Sequence, residues 1–260
     1  MERRELMKVV ILAGGYGTRL AEETDRIPKP MVTIGSKPIL WHIMKSYAKH
    51  GLNDFVICAG YKAGAIIEYF TNYQLHNSDL TVDLEKNEIT FLKPPSENWK
   101  VSVIDTALNV ETGGRLLRVR NYITPGEPFC MTYGDGVCDV NIKNVIEFHK
   151  SKKFEATLTA VRPPSRFGTL EIKDGQVSSF SEKPVSGESY INGGFFVLEH
   201  SVFDLIEGDH VSWEYGPLET LAQCGKLGAY IHDGFWHPMD TLRDRRYLEQ
   251  LWDTDRAPWK

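Results

Sequence analysis

Five stretches of this 260-residue chain carry groups that could do chemistry together. The first is VVILAGGYGTRLAEETDRIPKP, Val9–Pro30. Here an apolar run breaks into Gly14, Gly15 and Gly17, Thr18 and Arg19 follow, and Lys29 comes ten residues after Arg19. Consecutive N–H groups unobstructed by side chains make a concavity suited to phosphate oxygens. A dinucleotide site would want G-x-G-x-x-G and an acidic residue closing the second strand, yet that strand closes on CAGYK, Cys58–Lys62. A Walker loop, G-x-x-x-x-G-K-[ST], is absent as well. A tight turn alone would leave the adjacent arginine and lysine without a purpose.

Two carboxylates come next. TYGDG, Thr132–Gly136, sets Asp135 between glycines at the end of an apolar run, the usual ligand edge of an α/β sheet. GFWHPMDTLRD, Gly234–Asp244, puts Asp240 before a helical pattern, where a helix N-cap is the competing reading. Magnesium prefers oxygen ligands, typically one or two carboxylates plus substrate phosphates, which makes Asp135 and Asp240 a candidate pair. His237 is set aside, because imidazole suits magnesium poorly and a packing role explains it. Thr112–Arg115, TGGR, opens a helix whose free N–H groups could meet a base edge or phosphate, or whose small residues serve packing. Finally, SEKPVSGESYINGGFFVL, Ser181–Leu198, contains EKP and, after it, NGG.

The elements that must position these residues are legible from periodicity. KVVILA, DFVICAG and PFCMTYGDG read as buried strands, and EATLTAV and NGGFFVLE as further strands. PILWHIMKSYAKHG, ending at Gly51, reads as an amphipathic helix, as do AGAIIEYFTNY, GGRLLRVRNYI, IKNVIEFHKS, PLETLAQCG and TLRDRRYLEQLW. LTVDLE, NEITFLK and WKVSVID read as short exposed strands of a meander or flap, and GTLEIKDGQVSSF as a hairpin turning at Asp174-Gly175. Strand–helix alternation of this kind predicts an α/β fold, Rossmann-like, with a mixed but mostly parallel sheet covered by helices on both faces and a smaller β-rich region. No linker, repeat or low-complexity tract divides the chain, so one domain is expected, with 1–7 as a leader (Met7 a possible start) and about 71–100 as a flap or oligomerisation insert.

A formal net charge of -5 argues against a nucleic-acid partner, and no apolar run reaches the ~20 residues needed to span a bilayer. Cys58, Cys130, Cys138 and Cys224 form no C-x-x-C pair and read as reduced, small hydrophobes of a cytoplasmic protein.

LAGGYGTRL…KP, followed by TYGDG, EKP with NGG eight residues on, and GFWHPMDTLRD, resembles the signature of the sugar-nucleotide pyrophosphorylases, the nucleoside-triphosphate:sugar-1-phosphate nucleotidyltransferases, over nearly the full length. The resemblance implies that Leu12, Ala13, Gly14, Gly15, Gly17 and Thr18 wrap a triphosphate, that Arg19 contacts the departing pyrophosphate and that Lys29 reaches the phosphate under attack. It implies Arg19, Lys29 and Asp135 as catalytic residues and Mg2+ on Asp135 and Asp240. Glu111, Thr112, Gly113, Gly114, Arg115 and Gly134 would complete the nucleotide site. Gly168, Thr169, Glu182, Lys183, Asn192 and Gly193 would receive the sugar phosphate. The attacking phosphate is already ionised, so no general base is needed, and no activated nucleophile is evident in the sequence. GTRLAEET lacks the proline of the commoner GTRLxPxT, and with VIDTALNVETGGRL this resembles the branch that converts CTP and glucose 1-phosphate to CDP-glucose and pyrophosphate. UTP or dTTP use stays open, as does a non-catalytic sugar-nucleotide-sensing module. A glycosyltransferase would want a D-x-D metal motif, which GDGVCD does not offer at that spacing. Homo-oligomers are common among relatives and are expected here.

Overall fold

Val9–Ala13 (β1) is apolar at every position because both its faces are covered. Val9, Ile11 and Ala13 point into one hydrophobic cluster, and Val10 and Leu12 into another across the sheet. The same alternation holds for Asp54–Ala59 (β2), with Phe55, Ile57 and Ala59 on the first side and Val56 and Cys58 on the second. The computed structural model describes residues 7–25, 27–93, 96–163, 169–173, 176–181 and 189–260.

The central sheet has seven strands. The others are Lys100–Asp105 (β3), Phe129–Tyr133 (β4), Ala156–Val161 (β5), Ile191–Leu198 (β6) and Leu227–His232 (β7). Their order across the sheet is β7-β5-β6-β4-β1-β2-β3. Only β6 runs against its neighbours, β5 and β4, and the remaining pairs are parallel. Ile39–Ala48 (α1) buries Ile39, Leu40, Ile43, Met44 and Tyr47, a helical stripe on the first cluster. Ala63–Thr71 (α2) follows β2, and Thr112–Arg118 (α3) covers the second cluster through Leu116. Ile142–Lys152 (α4), Pro217–Gln223 (α5) and Leu242–Asp253 (α6) complete the helices that matter for the site.

One strand differs from its reading in the sequence. WKVSVID is not part of an exposed meander, because Lys100–Asp105 pairs in parallel with β2 as the sheet's edge, and Trp99, Val101 and Val103 pack on the first cluster. Leu80–Asp83 and Glu88–Phe91 do form a separate antiparallel hairpin, with Val82, Leu84 and Ile89 exposed. Thr169–Lys173 and Gln176–Ser181 pair as the other expected hairpin, and its turn at Asp174-Gly175 lies outside the described residues. All four cysteines are free, and burial pushes the thiols of Cys58, Cys130 and Cys138 up to about 12. No described helix is long and apolar enough to cross a membrane.

Candidate active site

β1 and β4 are adjacent and parallel, so the loops that leave them emerge at the same edge of the sheet. The loop after β1 carries Gly14–Arg19, and the loop after β4 carries Gly134 and Asp135. Between them opens a cavity of about 530 Å³. Leu12, Ala13, Gly14, Gly15, Gly17, Thr18, Arg19, Lys29, Glu111, Thr112, Arg115, Gly134 and Asp135 all line it, so most of the residues singled out in the sequence meet there.

Close approach requires glycine at two of the three loop positions: a Cβ on Gly14 would fall 2.1 Å from Arg115 Nη1. Gly17 has φ +64°, and a Cβ there would fall 2.8 Å from Thr24 Cγ2 and 3.0 Å from Lys29 Cβ. Gly15 has open space where its Cβ would stand. Gly134 donates its N–H to Leu12 O at 2.9 Å, which ties the two loops at their roots.

Asp240 reaches this edge by a different route. Gly136–Cys138 and Trp236–Pro238 form a two-stranded antiparallel ribbon, and Met239 N donates to Asp135 O at 2.7 Å. The ribbon therefore brings position 240 back to position 135. Thr241, not Asp240, caps α6: its hydroxyl accepts from Asp244 N while the Asp244 carboxylate accepts from Thr241 N, a capping box. The same carboxylate accepts from Asp240 N at 3.1 Å, which holds the backbone of Asp240 in place. Burial would raise the pKa of Asp244, but the bonds from Thr241 and the neighbouring His237 hold it below the usual range. His237 is packed between Phe235 and Tyr247, with Nε2 3.2 Å from Asp244.

Four charges converge at the centre. Lys29, only 8% exposed, donates from Nζ to Asp135 Oδ2 and to Asp240 Oδ1, each at 2.7 Å. Arg19, largely exposed, donates from Nη1 to Asp240 Oδ2 at 2.8 Å. Burial alone would lower the pKa of Lys29, but the two carboxylates more than offset it and hold the ammonium above its ordinary value. The two acids thus converge on the Lys29 ammonium, and Asp240 is also paired with Arg19.

The far wall is built differently from the simplest reading of TGGR. A Cβ on Gly113 would meet Val211 O at 2.6 Å and one on Gly114 would meet Asp209 O at 2.5 Å, so both glycines serve packing of α3 against 209–211 and neither lines the cavity. The Glu111 and Gly114 amides are also taken, by Asp209 O and Val211 O. Arg115 lines the cavity as a brace. Its Nη1 donates to Thr106 Oγ1 (2.8 Å) and Ala107 O (2.7 Å), and its Nη2 to Leu108 O (2.9 Å), which fixes the wall formed by Leu108–Val110.

On the other side Asn192 Oδ1 accepts from Gly194 N at 2.9 Å, and its amide nitrogen lies 3.5 Å from Tyr133 Oη. Gly193 lies against Thr159 O and Val161, and its carbonyl accepts from Trp236 Nε1 at 2.7 Å. Neither lines the cavity, although Tyr133 does. Thr169 begins its hairpin strand, while Gly168, Glu182 and Lys183 lie outside the described residues.

Several lining residues escaped sequence reasoning, chief among them Tyr16 and Tyr133, while Asn109 lies in the 107–110 segment whose departures from the family pattern leave the choice of base open. Tyr16 Oη donates to Asn109 Oδ1 at 3.0 Å, bridging the glycine loop to the far wall. Tyr133 stands directly before Gly134-Asp135, so its place next to the motif was a usable signal. Elsewhere, Cys138, Asp139 and His232 form a second group of metal-capable side chains among the described residues. There Asp139 Oδ1 accepts from His232 Nε2 and Phe235 N, both at 2.8 Å, and the raised thiol pKa opposes thiolate ligation, so the group braces a turn.

The nucleotidyl transferase family model matches residues 8–231. The chain is 58% identical over 254 residues to glucose-1-phosphate cytidylyltransferase of Salmonella typhimurium, covering 98% of this chain and 99% of the relative. It is 43% identical over 255 residues to a probable glucose-1-phosphate cytidylyltransferase of Bacillus subtilis, at 98% and 99% coverage. Among solved structures it resembles HddC from Yersinia pseudotuberculosis, with TM-score 0.69, 27% identity, and 95% and 100% of the two chains covered.

Proposed function

The chain belongs to the nucleotidyl transferase family, and from that premise we propose that it transfers a cytidylyl group from CTP to glucose 1-phosphate, releasing pyrophosphate and forming CDP-glucose. The observation that carries this reading is the convergence of Lys29, Asp135, Asp240 and Arg19 beside a glycine-lined cavity, in a chain 58% identical to an enzyme of that name.

The reaction brings two polyanions together in line and moves charge onto the leaving oxygen, so positioning and electrostatics are what the protein must supply. The glycine loop at Gly14 and Gly15, which lines the cavity, receives the triphosphate. Arg19, exposed at the cavity mouth, takes the pyrophosphate charge, and Lys29 neutralises the α-phosphate. Lys183 and Glu182 meet the sugar phosphate. The donor set suits a hard divalent cation in its chemistry, because Asp135 and Asp240 are neighbouring carboxylates gathered by the Lys29 ammonium, and Mg2+ would be held by these two beside that ammonium. When bound, it supplies Lewis-acid stabilisation of phosphate charge. The protein acts as a single nucleotidyltransferase domain in a homo-oligomer, with the exposed apolar residues of the 80–91 hairpin at a contact between copies.

The test is pyrophosphate release with glucose 1-phosphate and each of CTP, UTP, dTTP and GTP. CTP gives the fastest turnover, and faster turnover with UTP or dTTP overturns the assignment of the base.

A further inference from the structure

Behind Tyr133 and Thr112, which line the cavity, stands a carboxylate for which the proposed chemistry has no use. Glu214, just before α5, accepts hydrogen bonds from three hydroxyls. Tyr133 Oη bonds to its Oε1, and Thr112 Oγ1 and Ser212 Oγ, both at 2.6 Å, bond to its Oε2. Thr112 Oγ1 is itself an acceptor, from Trp213 N at 2.8 Å. Burial raises the pKa of Glu214, but the bonds from Ser212, Thr112 and Tyr133 outweigh it, so the group is an ionised, half-buried carboxylate.

An ionised carboxylate has no proton to give, so all three hydroxyls must donate to it. The proton of Tyr133 is therefore committed, and the side of Oη that remains can only accept. The side chain is also packed in place. A Cβ on Gly194, φ +80°, would lie 2.5 Å from Tyr133 Cδ2, so the ring packs against β6, and Phe196 meets it edge-on at 6.1 Å. Among the described residues the one donor near Oη is Asn192 Nδ2, at the long distance of 3.5 Å. An acceptor held this way lines the same cavity as Asp135, two residues on, where the proposed function places the phosphates, and the group next to a phosphate in this chemistry is a sugar.

We propose that Glu214 is a positioning residue that presents Tyr133 as a hydrogen-bond acceptor for one sugar hydroxyl of the substrates, on the ribose of the nucleotide or on the hexose. This rests on the sugar-nucleotide reading above and adds a residue and a polarity to it.

The experiment is initial-rate kinetics of wild type, Tyr133→Phe and Glu214→Gln. The substrates are glucose 1-phosphate with its monodeoxy and monofluoro analogues, and CTP with its 2′- and 3′-deoxy and fluoro analogues. In the wild type, one hydroxyl position loses about tenfold in kcat/KM on deoxygenation, and equally on fluorination, because fluorine cannot donate. Tyr133→Phe loses about the same with the parent substrate and nothing further with the analogues of that position, and only the KM of the substrate bearing the hydroxyl rises. In Glu214→Gln the amide oxygen stays with the hydroxyls of Thr112 and Ser212 and the amide nitrogen donates to Tyr133, whose own proton turns outward. The fluoro analogue then recovers relative to the deoxy one. Ribose and hexose arms identify which sugar is held. Undiminished discrimination by Tyr133→Phe at every position overturns the proposal, even if Glu214→Gln fails to fold. Wild type turning over CTP and glucose 1-phosphate keeps the functional reading standing in that event, whereas a wild type without that turnover sinks both.

Discussion

Lys29→Met tests the charge cluster most directly, because it keeps much of the aliphatic stem and removes only the ammonium. Two charge-assisted bonds of 2.7 Å vanish, leaving Asp135 and Asp240 facing one another. Asp240 retains Arg19, but that side chain is 69% exposed, and such a pair contributes at most about 1 kcal/mol. Removing one partner of a buried pair costs roughly 3–5 kcal/mol. The Asp135 side chain is 35% exposed and still partly hydrated, which places the loss at the lower end, about 3 kcal/mol. That is about two decades in the folding constant. Urea unfolding at neutral pH with divalent ions chelated measures it. Adding Asp240→Asn to Lys29→Met then restores about half, whereas Asp240→Asn alone destabilises, so the two changes couple with opposite signs. Lys29→Met within about 0.5 kcal/mol of wild type, or the same cost for Asp240→Asn in both backgrounds, refutes the idea that the lysine is the counter-charge of these acids. In the assay of pyrophosphate release, Lys29→Met lowers kcat by about 10²–10³-fold, the usual effect of losing one stabiliser of developing charge.

His42 is 1% exposed, donates from Nε2 to Ile34 O at 2.9 Å and accepts at Nδ1 from Trp259 Nε1, so it is held neutral, its pKa lowered by burial to about 4. Because the unfolded chain takes up this proton near pH 6.5 and the fold only near 4, stability falls as pH drops through that window, by about 3 kcal/mol in all, and His42→Gln flattens that part of a denaturation-versus-pH curve. Thr241→Ala removes the capping hydroxyl of α6 and costs about 1 kcal/mol in urea unfolding, with a lower kcat because Asp240 precedes the cap. Arg115→Lys raises the KM for CTP about tenfold in initial-rate assays while thermal unfolding shows a folded protein, since one ammonium cannot span Thr106, Ala107 and Leu108 as the planar fork does.

Much of this fold is legible in the sequence because strands buried on both faces are apolar throughout, as Val9–Ala13 is, and the glycine turns that end them mark the ligand edge. β3 is not, for a physical reason. Lys100–Asp105 pairs on one side only and is half-exposed, so its alternation resembles that of the detached hairpin at 80–91, and periodicity carries no information about which partner a strand finds. Glycine pairs are equally mute. Gly15 has open space at the cavity wall and Gly14 backs onto the Arg115 guanidinium, while Gly113 and Gly114 face the backbone of 209–211, and only the neighbour that a Cβ would strike distinguishes these cases.

The side chains that hold the site show a deeper limit. Lys29, Asp135 and Asp240 can each be picked out by type, but that they meet follows from topology: two parallel neighbours deliver Lys29 and Asp135 to one edge, and the ribbon Gly136–Cys138 with Trp236–Pro238 delivers Asp240. Glu214 had no such mark. It lies in no motif, and its importance arises because Thr112 and Tyr133, both distant in sequence, turn their hydroxyls on it beside its near neighbour Ser212. A lone acidic residue in a loop reads as solvated until its partners are known. Charged residues in this chain therefore divide into those whose neighbours in sequence announce them, such as Asp135 within TYGDG, and those whose function is created by contacts of high sequence separation, for which the fold must come first.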